Sequence, residues 1–399
     1  MQFISQIIFL FLALSLNCCA YVNNSNGNRI KTGAEQTEKY LPFLKNKTIA
    51  LVANHTSLIN NTHLLDSLVS LGIDIKLVFS PEHGFRGNAD AGEHVYNFTD
   101  QKTGIQVISL YGNNKKPQAS DLKGIDLVIF DLQDVGVRYY TYISTMHYVM
   151  EACAENKIDL LILDRPNPNG YFVDGPVLEN NHKSFVGMHN VPIVHGMTIA
   201  EYAQMINGEG WLEKGVRCNL SYILCENYTH DSLYQLPVAP SPNLPNMQSV
   251  YLYPSLGFFE GTKLNVGRGT DFPFQVFGAP DYTDSSFSYT PRRIDGASKF
   301  PPHEGQQCFG VDLREYPVNN LIKLKKINID WLINSYNTTS TTDDFFNTYF
   351  FNISGTKQLK EQIKHNKSAK EIRQSWQPGL EKFKKIRSNY LLYKDFKSE

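Results

Sequence analysis

The sequence predicts an α/β protein: a Rossmann-like, doubly wound parallel-sheet domain followed by a smaller α+β auxiliary domain. Three observations carry this expectation. Short continuous apolar runs, such as Leu127-Val128-Ile129-Phe130 and Leu160-Leu161-Ile162-Leu163, recur along the first half. A run that is apolar at every position marks a strand covered on both faces, as in parallel sheets. Stretches of helical period separate the runs. Beyond residue 231 the texture changes to proline- and glycine-dense loop, with Pro237, Pro240, Pro242 and Pro245 in close succession.

The elements follow in order. Residues 4–16 are almost entirely apolar and lead into Asn17-Cys18-Cys19-Ala20. That run is too short to span a bilayer and reads as the core of a signal peptide over 1–20. Cleavage after Ala20, or lipid attachment at Cys18 or Cys19, both take the mature chain out of the cytoplasm. The expected location is therefore exported, either periplasmic or lipid-anchored in the cell envelope. No other apolar stretch approaches membrane-spanning length. Residues 21–32 form a polar, Asn-rich linker. The domain over 33–230 opens with a helix at 33–44. Strands are expected at 48–53, 75–79, 107–111, 127–131, 160–164 and 220–225, and helices at 64–71, 142–155 and 198–207. The auxiliary domain over 231–399 is expected to hold strands at 308–313 and 321–329 and helices at 359–366 and 378–393.

Composition narrows the function. The formal net charge is −1 and charged residues make up 19%, so no basic stripe points to nucleic acid. Past the leader, Cys153, Cys218, Cys225 and Cys308 show no CxxC spacing. They read as buried thiols, with one bridge open to them in an oxidising compartment. No G-x-G-x-x-G follows the first strand and no Walker A sequence occurs, so no cofactor is assigned.

Polar residues gather at strand ends. In an open parallel sheet, ligands bind outside the carboxyl ends of the strands. The first strand ends in Asn54 and His55. The second runs into Ser80-Pro81-Glu82-His83-Gly84-Phe85-Arg86-Gly87, which holds a carboxylate, an imidazole and a guanidinium between glycines. The fourth leads to Asp131, Gln133, Asp134, Arg138 and Tyr139, and the fifth to Asp164, Arg165 and Asn167. Singly, each has a plain structural reading: a turn with a surface ion pair, a helix cap, an Asp164-Arg165 pair. Together on one rim they suit glycosidic bond cleavage, which needs one carboxylic acid to protonate the leaving oxygen and a second group as base or nucleophile. Burial of Glu82 by Phe85 would fit it for the acid role. Metal hydrolysis is the competing chemistry, with His55, His83, Asp131, Asp134 and His195 as ligands, though none has a tight metal-binding spacing. His195 also reads as a loop anchor. No G-x-S-x-G supports a nucleophilic serine.

The motifs carry a resemblance. The Pro81–Gly87 loop, Asp131-Leu132-Gln133-Asp134 with Arg138-Tyr139-Tyr140-Thr141-Tyr142, and Asp164-Arg165-Pro166-Asn167 are among them. His195-Gly196-Met197, Ser241-Pro242-Asn243-Leu244-Pro245 and Glu260-Gly261-Thr262 with Gly267-Arg268-Gly269-Thr270 complete the set. In this order, over 33–395, the chain resembles the exo-lytic β-N-acetylmuramidases of the NamZ type, formerly a domain of unknown function. The resemblance implies a cleft between catalytic and auxiliary domains and release of N-acetylmuramic acid from the non-reducing ends of peptidoglycan fragments. It also implies Glu82 as the catalytic residue. At Lys263-Leu264-Asn265-Val266 the chain departs from the family's usual N-x-S-E. Asp131, Asp134 and Glu260 are our own candidates for the second catalytic group, as base or as orienter of the substrate acetamide. Arg86, Arg138 or Arg268 would pair with the lactyl carboxylate. Asn54, His55, His83, Tyr139, Asp164, Asn167, His195 and Asn243 complete the expected binding set. The expected partners are peptidoglycan-derived saccharides, with no nucleic acid and no membrane contact beyond an N-terminal lipid. A wall-binding protein that has lost turnover, or a metal hydrolase, are the alternatives.

Overall fold

The computed structural model describes residues 29–82, 84–86, 97–339 and 344–397. The expected leader, most of the linker, His83 and Gly87 lie outside the described residues. The central sheet has seven strands in the order β5-β6-β4-β1-β7-β8-β9. In chain order these are β1 (Ile49–Ala53), a small hairpin of β2 (Leu58–Ile59) and β3 (Thr62–His63), then β4 (Ile75–Ser80) and β5 (Phe98–Thr99). There follow β6 (Gln106–Ser109), β7 (Leu127–Asp131), β8 (Asp159–Leu163) and β9 (Leu220–Ile223). Among the described residues of the central sheet, only the short β5 runs antiparallel to its neighbour. The chain works outward from β1 through β4 to β6, then returns to the other flank of β1 for β7, β8 and β9. This reversal is the doubly wound arrangement.

Every residue of β1 and β7 is buried, as their unbroken apolar sequences require. Their side chains alternate between two cores. Ile49, Leu51 and Ile129 pack with Tyr40 and Leu44 of α1 (Thr37–Leu44) and Leu64, Leu65 and Leu68 of α2 (Leu64–Ser70). Ala50, Val52, Val128 and Phe130 face the other way. There they meet Met146, Val149 and Met150 of α3 (Tyr142–Asn156) and Ala200 and Ala203 of α4 (Ile199–Gly208). This second core continues without a break into residues of the C-terminal half, such as Phe258, Phe350 and Trp376. Among the described residues, the β4–β6 and β6–β7 crossovers carry no helix.

The C-terminal half departs from expectation in four places. Helix α5 (Met247–Leu256) forms directly after the prolines, with Asn246 as N-cap and Ser249 completing a capping box. A second sheet, β10 (Val276–Ala279), β11 (Phe287–Tyr289) and β12 (Cys308–Asp312), is antiparallel. The stretch 321–329 is not a strand. It falls within α6 (Val318–Leu324) and the turn before α7 (Asp330–Thr338). Lys325 takes a left-handed backbone that ends α6, so Leu321 and the buried Ile327 and Ile329 cannot share one extended run. Past α8 (Phe350–Ser354) and α9 (Gln358–Lys364), α10 (Ala369–Arg387) begins nine residues before the expected Pro378. Ser368 and Glu371 form its capping box and Pro378 sits within it. The four described cysteines are free and buried.

The C-terminal segment then returns to the first domain. Tyr393 donates its hydroxyl to Asp164 Oδ2 at 2.6 Å. The backbone N–H groups of Leu392 and Tyr393 donate to Glu201 Oε1. Arg387 donates to the Gly196 carbonyl and pairs with Asp395.

Candidate active site

A cleft of about 340 Å³ opens past the carboxyl ends of β4, β6 and β7. Its first wall is built by loops that leave these strands. Glu82 lies two residues beyond β4 and Tyr111 two beyond β6. Tyr139, Tyr140 and Thr141 lie between β7 and α3, and Tyr142 opens α3. The opposite wall comes from the second half of the chain, with Asn243, Tyr253, Glu260, Arg268, Phe274 and Tyr349.

Glu82 is held by hydroxyl donors. Thr141 Oγ1 donates to Glu82 Oε2 at 2.9 Å. The Tyr111 hydroxyl also hydrogen-bonds Glu82; burial, then the Glu82 charge, then that bond raise the Tyr111 phenol above its usual range. The tyrosine wall is keyed to fixed acceptors and donors. Tyr139 donates to the carbonyls of Tyr253 and Pro254 at 2.9 Å each, and Tyr140 to that of Pro240 at 2.7 Å. Asn54, itself buried, donates to the Tyr142 hydroxyl at 2.7 Å. Across the cleft, Arg268 Nε lies 2.6 Å from Glu260 Oε1, and its guanidinium packs on the Phe274 ring.

The expected residues thus divide. Glu82, Tyr139, Asn243, Glu260 and Arg268 line the cleft. Asn54 acts one step behind it, through Tyr142. Asp131 does not line it: fully buried, it forms a two-pronged pair with Arg165, at 2.6 Å to Nε and 2.9 Å to Nη2. Burial alone would lower the Arg165 value, and the Asp131 carboxylate more than offsets it. Asp134 is also buried outside the cleft lining. It accepts the Gly136 N–H at 2.6 Å and shapes the turn into the tyrosine wall. Gly136 has φ +76°, and a Cβ there would collide with the Asn167 amide, so that turn needs glycine.

Asp164 and Asn167 are used by the fold. Asp164 accepts from Tyr393 and from the Ala200 N–H, and Asn167 donates to the Met197 carbonyl. His55 is bonded to the Ala239 carbonyl. Burial lowers His195 to about 3, and it accepts the Met197 N–H as a loop anchor. Two of the three arginines expected to bind a carboxylate are otherwise engaged. Arg86 pairs with Asp100 and Asp66. Arg138 is fully buried, donating to the carbonyls of Pro176, Val191 and Ile353. Phe85 points away from Glu82 into the α1/α2 core, edge-on to His63, so the rings around Glu82 are tyrosines. Among the described residues no group of three His, Cys, Asp or Glu side chains is placed to hold a metal ion.

Sequence reasoning missed Tyr111, Lys115, Thr141 and Tyr349. The apolar run 107–111 places Tyr111 in the third strand, but that strand ends at Ser109. Thr141 sat in view inside Tyr139-Tyr140-Thr141-Tyr142. Tyr349, from the loop before α8, left no sequence signal.

Burial pushes Asp134 up to about 7, against its N–H donors from Gly136 and Val135. The unfolded value is ~3.9, so between the two the folded chain holds a proton that the unfolded chain releases. Its contribution to stability is complete below about pH 4 and is lost as pH rises through about 7. Melting temperatures from pH 5 to 8 should fall more steeply in the wild type than in Asp134→Asn. Parallel profiles would refute this role for burial.

Two family descriptions match the chain in succession. "Exo-beta-N-acetylmuramidase NamZ, N-terminal" covers residues 49–248, and its C-terminal counterpart covers 251–393. The peptidoglycan β-N-acetylmuramidase NamZ of Bacillus subtilis (strain 168) is 37% identical over 387 residues, covering 92% of each chain. Two crystal structures of DUF1343 family proteins from Bacteroides fragilis NCTC 9343 share the fold. One has a TM-score of 0.86 at 46% identity, over 92% of this chain and all of the other. The second has a TM-score of 0.76 at 27% identity, over 92% and 99%.

Proposed function

The chain belongs to the exo-β-N-acetylmuramidase NamZ family, and from that premise we propose that it removes N-acetylmuramic acid from the non-reducing ends of peptidoglycan fragments with Glu82 as general acid. It is a glycosidase of peptidoglycan-derived saccharides. One observation carries the assignment to Glu82: among the described residues it is the carboxylate on the strand-end wall of the cleft, and Thr141 aligns it. In this reading Glu82 gives its proton to the glycosidic oxygen as the bond to C1 breaks. Charge then develops on the sugar ring and must be met from the other side. Glu260 is the second carboxylate lining the cleft, and Arg268 fixes its orientation. It replaces Asp131 and Asp134 as the group opposite Glu82, acting on water, on the ring or on the substrate acetamide.

The tyrosines give the sugar flat apolar faces edged with hydroxyls. The apolar run at residues 4–16 supports export to the envelope, where the substrate is. The test is direct. Incubation with a MurNAc-GlcNAc disaccharide should yield free MurNAc and GlcNAc. Longer glycans should lose MurNAc stepwise from the non-reducing end, followed by mass spectrometry. Internal cuts, or no cleavage, would overturn the proposal.

A further inference from the structure

We propose that Lys115 is the specificity residue of this cleft and that it binds the lactyl carboxylate of the muramic acid unit. The inference rests on the functional reading above and names the group that selects this sugar over one without the acid. N-acetylmuramic acid is N-acetylglucosamine carrying lactic acid as an ether at C3. A glycosidase that requires it needs a cation reachable from C3 while the C1 oxygen lies at the acid.

Among the described residues, two cationic side chains line the cleft, Arg268 and Lys115. Arg268 is committed: Glu260 neutralises it at 2.6 Å, and Phe274 lies under its guanidinium. Lys115 differs. Among the described residues no carboxylate lies within ion-pair distance of its ammonium, which sits 4.6 Å from the centre of the Phe185 ring. The aromatic face favours the charge without consuming it. Phe185 is in turn held between Tyr148, stacked on it, and Tyr111, edge-on to it. Tyr111 is also the hydroxyl partner of Glu82. The acid and the lysine thus share one wall, linked by two aromatic rings.

The loop that presents Lys115 is pinned by its neighbour. Lys116 pairs with Glu151 and Glu155 of α3 at 2.9 and 2.8 Å. Asn114 reaches back to the Ser109 carbonyl at the end of β6. One lysine of the pair ties the loop to the helix, which leaves the other turned into the cleft. A cation held in advance binds an anion with less ordering cost than a free surface lysine.

The test compares two substrates in three proteins. The substrates are the MurNAc-GlcNAc disaccharide and the same compound with its lactyl group as the neutral amide. The proteins are wild type, Lys115→Met and Lys115→Arg. Wild type should prefer the acid by roughly ten- to a hundredfold in KM, the range of a charge-assisted hydrogen bond. Lys115→Met should raise KM for the acid by a similar factor, leave kcat within a few-fold and abolish the preference. Lys115→Arg should restore most of it. If Lys115→Met keeps the wild-type preference, the assignment of Lys115 is wrong and Arg268 is the remaining cation. If wild type cleaves neither substrate, the functional reading itself fails.

Discussion

Glu82→Gln should lower kcat on the disaccharide by about 10²- to 10⁴-fold, the usual contribution of a positioned general acid, with KM little changed. Glutamine keeps the shape and can still accept from Thr141 Oγ1, which now donates to Glu82 Oε2. It cannot supply a proton. The defect should therefore depend on the leaving group. A sugar alcohol leaves poorly without protonation, whereas a nitrophenolate leaves without it, so an aryl muramide should recover much of the lost rate in the first step. Activity on the disaccharide within a few-fold of wild type would remove Glu82 from the acid role. An equal loss on both substrates would point to a different step.

Asp131→Ala should destabilise the fold by about 3–5 kcal/mol, the cost of leaving a buried charge without its partner. Arg165, two residues past β8, would keep only the Leu58 carbonyl to donate to. Replacing both residues, as Asp131→Leu with Arg165→Met, should cost much less, because no charge is stranded. Urea unfolding at pH 7 would measure both. The folded fraction of Asp131→Ala should keep its kcat, since neither residue lines the cleft. A selective loss of kcat with stability intact would return Asp131 to the catalytic set.

These two expectations mark what could be read from the chain alone. The strands were legible because burial on both faces demands apolar residues at every position, and 127–131 matches β7 residue for residue. The rim was legible as a place, but the roles on it were not. Asn54, Asp131 and Asp164 sit at or immediately after a strand end, and each is fully buried. There a short polar side chain is still inside the sheet layer and must bond to the fold. Glu82 and Tyr111 lie two residues further on, with longer side chains, and reach the cleft. Distance past the strand end, together with side-chain length, separates scaffold from site here. Lys115 was passed over because a lysine in a polar loop reads as solvated surface. Only the pinning of Lys116 shows where its neighbour turns. The wall formed by Glu260, Arg268 and Tyr349 depends on how the C-terminal half folds back, which local periodicity does not encode.

That folding back has a consequence for how the protein is made. Domains fold in order as they leave the ribosome, N-terminal first. Here the strand order of the first domain is complete once β9 has emerged, but Asp164 and Glu201 still lack donors that arrive with Leu392 and Tyr393. Some 170 residues of synthesis separate the end of β9 at Ile223 from Tyr393, a delay of roughly 8 to 34 seconds at about 5–20 residues per second. Through that interval two buried carboxylates have only part of their hydrogen bonds. The segment carrying Leu392 and Tyr393 therefore acts as a late latch: the cleft's supporting sheet reaches full strength only once those residues have been made.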